Sequence, residues 1–181
     1  MRRFLREHGL SLAMLGLFSV TFLVGQVVTG RSEYNDERKK NGEAHVGYVD
    51  YLRSAHFGEA TAENWESEFF QMFVFVVATV FLYQKGSAES KDPRKKPART
   101  SSKDVRPDSP WPVRRGGWVL RLYEHSLSAA LFLLFAMAFA WHAVAGHRLY
   151  NEQRLHDDES VVTLSGYLTS TRFWFESFQN W

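Results

Sequence analysis

At 181 residues, with 23% charged residues, a net charge of +2 and a mean hydropathy of −0.31, the chain has the averages of a single soluble domain. It contains no cysteine, which excludes disulfides, thiolate metal sites and a cysteine nucleophile. The averages hide a very uneven distribution along the chain.

The N-terminus "MRRFLREHGL" puts three arginines before Leu10, and from Leu10 to Gly30 there are 21 residues without a formal charge. At about 1.5 Å per residue that run makes a helix of roughly 30 Å, the thickness of a bilayer's hydrocarbon core. Its apolar stretch is too long for a cleaved signal, and "QVVTGR" is a poor cleavage site, so an uncleaved helix is expected. A shorter run, Phe69 to Gln84, can span if Glu68, Tyr83, Gln84 and Lys85 extend their polar tips to the interfaces. The third run, Ser126 to Gly146, is interrupted only by His142.

The charges orient these runs. Eleven Lys and Arg lie between Lys85 and Tyr123, against five between Arg31 and Glu68 and three from His147 onward. The positive-inside rule therefore places the N-terminus and the 86–118 loop in the cytoplasm, with 31–67 and 147–181 outside. All five prolines lie in "SAESKDPRKKPARTSSKDVRPDSPWPVRRGG", a composition too poor in aliphatics to offset ordering entropy. A disordered loop near anionic lipids is expected there, with Trp111 at headgroup level. Topology alone accounts for the charge, so no nucleic-acid partner is inferred.

A shift of 116 positions superimposes twelve identities over residues 30 to 65, among them Gly30 on Gly146, Tyr34-Asn35 on Tyr150-Asn151, and Arg38 on Arg154. The same register matches Tyr51 with Tyr167, Ser54 with Ser170, Phe57 with Phe173, and Asn64-Trp65 with Asn180-Trp181. Upstream, a one-residue slip pairs Glu7-His8 with Glu124-His125. Repeat unit 1 then occupies 1–84, with a transmembrane helix at about 10–30, an outside segment at 31–67 and a second transmembrane helix at about 68–85. The disordered basic loop covers 86–118. Repeat unit 2 occupies 119–181, with a helix at about 124–146 and an outside segment at 147–181. Each outside segment carries apolar residues at helical spacing, Tyr48, Tyr51, Leu52 and Leu164, Tyr167, Leu168. The expected fold is an all-α membrane protein of three transmembrane helices plus short extracytoplasmic amphipathic helices.

"NWESEF" at 64–69, "QKGSAES" at 84–90 and "FWFESFQNW" at the end resemble a family of small bacterial inner-membrane proteins known as a domain of unknown function. In that family the second Asn-Trp usually leads into a fourth membrane helix and a short basic tail, whereas this chain stops at Trp181. The resemblance and the repeat together imply a four-helix arrangement lacking its last helix, and a reading frame that continues past Trp181. The family supplies no activity, cofactor or substrate.

Ionisable and polar residues in membranes are costly and are the natural functional candidates. His142 and its repeat partner Gln26 both lie near the outer ends of their helices, as an interhelical hydrogen bond or as a contact for a proton or small solute. Glu68 and Gln71 begin the second span, as an interfacial anchor or part of an ion path. His8 and His125 are weaker ligand candidates, each preceded by Glu at the cytoplasmic start of a helix, where capping is the simpler role. The Tyr-Asn pairs suggest a belt aromatic followed by a turn former. No phosphate loop, hydrolase triad or spaced ligand cluster occurs, so no catalytic, cofactor or metal residue is assigned. A structural or accessory component of the bacterial inner membrane, self-associating or within a larger complex, is the expectation. A small channel or carrier, with a polar path between duplicated helix pairs, is the alternative.

Overall fold

The computed structural model describes residue 4 and residues 7–82, 84–85 and 109–180, with the backbone alone at Asn180. Among these residues the chain is all helical, without a strand. The helices are α1 (Gly9–Lys40), α2 (Tyr48–Arg53), α3 (Ala55–Phe81), α4 (Trp111–Arg115), α5 (Gly117–Glu124), α6 (Ser126–His156), α7 (Leu164–Leu168) and α8 (Thr171–Asn180).

α1 and α6 are long and apolar enough to cross a membrane. At about 1.5 Å per residue they reach roughly 48 Å and 46 Å, well beyond the ~30 Å of a hydrocarbon core. Charges begin at Arg31 and His147, yet neither helix stops there. Residues Gly30–Lys40 continue α1 with Glu33 early and Arg38, Lys39 and Lys40 in the last turn. The basic last turn opposes the negative end of the helix dipole, so the extension is favourable even in water. Within α1, Thr21–Thr29 takes the wider i→i+5 winding.

α3 runs unbroken through Asn64-Trp65, which therefore lies in mid-helix and does not mark a start. Residues 86–108 of the basic loop lie outside the described residues. The loop's last part departs from the disorder expected up to residue 118, because α4 and the start of α5 are helical. Pro110 is the residue before α4 and Pro112 lies in its first turn. There a preset φ suits the helix, and the missing N–H would have had no partner in any case.

The chain forms two compact units, Met1–Ala62 with Trp141–Trp174, and Glu63–Ala140 with Phe175–Trp181. In the first, Tyr51 meets Phe57 edge-on at 5.4 Å and Tyr167 meets Phe173 edge-on at 5.3 Å. All four rings are buried. Such edge contacts add about 0.5–1.5 kcal/mol each beyond the area they bury. In the second, Phe70 and Phe73 of α3 lie 5.3 Å and 5.7 Å from Phe135 and Phe132 of α6.

The outside of α1 is apolar from Leu10 to Val28. No side chain from Leu10 to Thr29 is buried, and Leu10, Met14, Leu15, Leu17 and Phe18 are all more than half exposed. The buried residues, by contrast, include Asn35, Thr61, Glu66, Ser67, His142 and Ser177.

Candidate functional site

Several polar contacts of the first compact unit recur at positions 116 apart. α1 ends in a turn whose Gly42 takes φ +73, with the Glu43 N–H donating to the Arg38 carbonyl at 2.8 Å. α6 ends in the same turn, with Asp158 at φ 56 and the Glu159 N–H donating to the Arg154 carbonyl at 2.7 Å. This is the left-handed helix stop, which glycine adopts without strain and aspartate tolerates at a cost.

The chain then doubles back along its own helix. Asn35 accepts from the Val46 N–H at 2.8 Å and donates to the Val46 carbonyl at 3.2 Å. Asn151 does the same to Val162 at 2.9 Å and 3.0 Å. Each amide pairs with both backbone groups of one loop residue. Arg38 donates through Nε to the Ala44 carbonyl at 2.8 Å and pairs with Glu43 at 2.6 Å. Arg154 donates to the Ser160 carbonyl at 2.6 Å and pairs with Glu159 at 2.9 Å. Their guanidiniums lie 5.6 Å and 5.5 Å above the Tyr34 and Tyr150 rings. Even unlike residues keep the role: Arg31 contacts the Val46 carbonyl at 2.9 Å, and His147 the Val162 carbonyl at 2.8 Å.

Beyond each loop the short helices α2 and α7 bring a tyrosine over a glycine. The Tyr51 hydroxyl lies against Gly30 and donates to the Gln26 carbonyl at 3.2 Å, and the Tyr167 hydroxyl lies against Gly146. A Cβ on either glycine would collide with that hydroxyl. Burial, reinforced by the Glu33 charge, raises the Tyr51 phenol above its ordinary pKa. Ser54 and Ser170 then cap α3 and α8, accepting from the Phe57 and Phe173 N–H at 3.1 Å and 3.3 Å. The Tyr-Asn pairs are thus no turn formers: Tyr34-Asn35 and Tyr150-Asn151 sit inside helices, and their side chains build the loops.

Of the residues singled out from the sequence, Gln26 and His142 belong to the first compact unit. Gln26 is half-buried and donates to the Thr61 hydroxyl at 3.2 Å. His142 is wholly buried, its ring 5.3 Å from that of Phe173. Glu68 and Gln71 belong to the second unit and are exposed. His8 and His125, one in each unit, are exposed at the starts of helices. Their carbonyls accept from the Leu12 and Ala129 N–H, both at 2.9 Å, a matching backbone role. Among the described residues no group of three His, Asp or Glu is placed to hold a metal ion.

Two features escaped the sequence. Glu66, not Glu68, is the buried carboxylate of α3, at 1% exposure. It lies one turn before Phe70 on the packed face, and that i, i+4 relation to an apolar run was its signal. The other is a cleft of about 570 Å³ in the first unit, lined by Glu37, Lys40, Glu43, Glu152 and His156 among others. Glu43 there joins two loops, bonding Arg38 of its own and, at 2.8 Å, His156 from the end of α6. The cleft is open and of mixed charge.

No curated protein and no solved structure matches the chain. A family model matches residues 1–181, the whole length. The chain therefore belongs to the family described as a domain of unknown function, DUF6766.

Proposed function

We propose that this protein is a multi-pass component of the bacterial cytoplasmic membrane, with a structural or accessory role and no catalytic one. The observation that carries the proposal is the exposed apolar length of α1: its leucines, phenylalanines and methionines face outward, and polar Asn35, Thr61, Glu66 and His142 are among the buried residues. Water does not favour that arrangement, and a hydrocarbon solvent does. α1 and α6 span, and the Phe69–Phe81 part of α3, with exposed Met72, Val74, Phe75, Val80 and Phe81, supplies a third span. The paired bonds 116 positions apart support an origin by duplication of a helix–loop–helix unit.

In this reading the N-terminus and the 86–118 loop are cytoplasmic, and 31–67 and 147–181 lie outside. The two capped loops form a rigid extracytoplasmic surface on which a second copy or another membrane complex docks. The channel or carrier alternative has less support, since Gln26 is engaged by Thr61 while Glu68 and Gln71 are exposed.

The cysteine-free chain makes the test direct. Membranes from expressing cells are washed with alkaline carbonate, and single cysteines at Lys39, Ser160 and Ser109 are probed with a membrane-impermeant maleimide. Retention in the membrane is expected, with Lys39→Cys and Ser160→Cys labelled in intact cells and Ser109→Cys only after permeabilisation. Release by carbonate, or labelling of Ser109→Cys from outside, overturns the reading. Purification in mild detergent then separates the two roles. A stoichiometric partner or a stable homo-oligomer supports the accessory role, and ion flux lost in His142→Ala supports the carrier.

A further inference from the structure

The element between the basic loop and α6 presents a face with no role in either compact core. α4 and α5 bury Val113 and Val119, but Trp111, Trp118 and Leu122 are 55%, 72% and 57% exposed. Trp118, Arg121 and Leu122 stand at i, i+3 and i+4, on one side of α5. Arg114, Arg115 and Arg121 are all exposed, and the Arg115 guanidinium lies 5.3 Å above the Trp111 ring. No acidic residue occurs between Trp111 and Tyr123.

We propose that α4–α5 is an interfacial foot that binds anionic phospholipid headgroups of the cytoplasmic leaflet. Trp118 and Leu122 enter the acyl boundary, and Arg114, Arg115 and Arg121 grip the phosphates. Three observations select lipid as the occupant. The exposed face combines aromatic and apolar side chains with arginines, the composition of an interfacial helix. Its three arginines outweigh the one acidic residue of α4–α5, Glu124 at the end of α5, and complement an anionic surface. It also leads, through His125 alone, into the membrane-length helix α6, so its distance from the bilayer is fixed by the chain itself. The stack of Arg115 on Trp111 holds a guanidinium beside an indole, both of which favour the headgroup layer. The inference rests on the membrane reading above and adds to it a site and a lipid class.

The test uses the full chain with Leu122→Cys carrying an environment-sensitive dye, reconstituted into vesicles of phosphatidylcholine with or without phosphatidylglycerol. Flotation first establishes that the protein stays with the vesicles; failure to float overturns the membrane reading and this inference together. With floating protein, a blue shift and quenching by brominated lipid are expected in the anionic vesicles. Each of Arg114→Gln, Arg115→Gln and Arg121→Gln is expected to weaken the response about fivefold, and high salt to abolish most of it. A dye on Ser160→Cys should report no such change. A dye at Leu122→Cys that is equally wet in both vesicle types, or unmoved by the arginine changes, overturns the foot and leaves the membrane reading standing. The same shift produced by inorganic phosphate in neutral vesicles also overturns it, in favour of a free-anion site.

Discussion

Asn35 closes two hydrogen bonds on a single residue, Val46, taking its N–H at 2.8 Å and giving to its carbonyl at 3.2 Å. One buried amide thereby satisfies both backbone groups of a residue that belongs to no helix and no strand. Removing the side chain leaves the Val46 N–H with no partner, at a cost of about 1–3 kcal/mol if it stays dry, while Arg31 still reaches the carbonyl. Asn35→Ala and Asn151→Ala are therefore expected to lower the thermal midpoint of the detergent-solubilised protein by similar amounts. Asn35→Asp keeps the acceptor and loses the donor, and should fall between. If the two alanine variants differ widely, the loops do not bear load equally.

Gly30 and Tyr51 form the second testable relation. On helix propensity alone, alanine is favoured over glycine by about 1 kcal/mol in mid-helix. At Gly30 the new Cβ would meet the Tyr51 hydroxyl, so Gly30→Ala should destabilise instead. The oxygen is the main obstacle, with the ring carbon behind it at 3.3 Å. Gly30→Ala in a Tyr51→Phe background should therefore cost much less than in the wild type, and a double-mutant cycle of thermal midpoints reads that coupling. Additive effects would mean that Tyr51 does not press on Gly30. Gly146 and Tyr167 should behave alike.

Much of this design was legible beforehand, and its limits have physical causes. The two long apolar runs located α1 and α6, because composition is a one-dimensional signal. Charge misled on where the helices end: Arg31 and His147 leave the expected apolar run, but a helix needs only its own hydrogen bonds and a suitable last turn to continue. Asn35 looked like a turn former because asparagine prefers caps and turns, yet burial against Val46 overrides that preference. Glu66 and Glu68 are two residues apart, on opposite sides of α3, and which side is packed depends on Phe132 and Phe135 far away in sequence. Gln26 and His142 were singled out by position, and the partner of Gln26, Thr61, lies 35 residues on, beyond any local pattern.

Tyr51 gives the alkaline limb a sign. Its folded-state pKa lies above the ordinary value of 10.0, raised by burial and then by Glu33. The folded protein thus keeps the phenolic proton at a pH where the unfolded chain has released it. Stability is unaffected below pH 10 and falls as pH rises from the unfolded value through the folded one. Tyr51→Phe removes the titrating group, so above pH 10 its stability should decline less steeply than that of the wild type. Unfolding midpoints of the two proteins across the alkaline range measure this, and parallel curves would show that another group governs the loss.

Gly42 and Asp158 occupy the same helix-stop position in the two loops, at φ +73 and φ 56. For a residue with a Cβ the left-handed conformation costs roughly 1–2 kcal/mol, which glycine does not incur. Asp158→Gly should relieve that cost, offset in part by the larger entropy of a glycine in the unfolded chain. A net gain of about 0.5–1 kcal/mol is expected, together with an unchanged Arg154–Glu159 pair, since the Glu159 N–H still reaches the Arg154 carbonyl. The converse change, Gly42→Ala, should cost about 1 kcal/mol, because alanine has neither the freedom of glycine nor the short polar side chain that lets aspartate sit there. Thermal midpoints of the two variants should move in opposite directions. Movement in the same direction would mean that the turn is not set by this residue, and that the Asn35–Val46 and Asn151–Val162 pairs alone hold the loops closed.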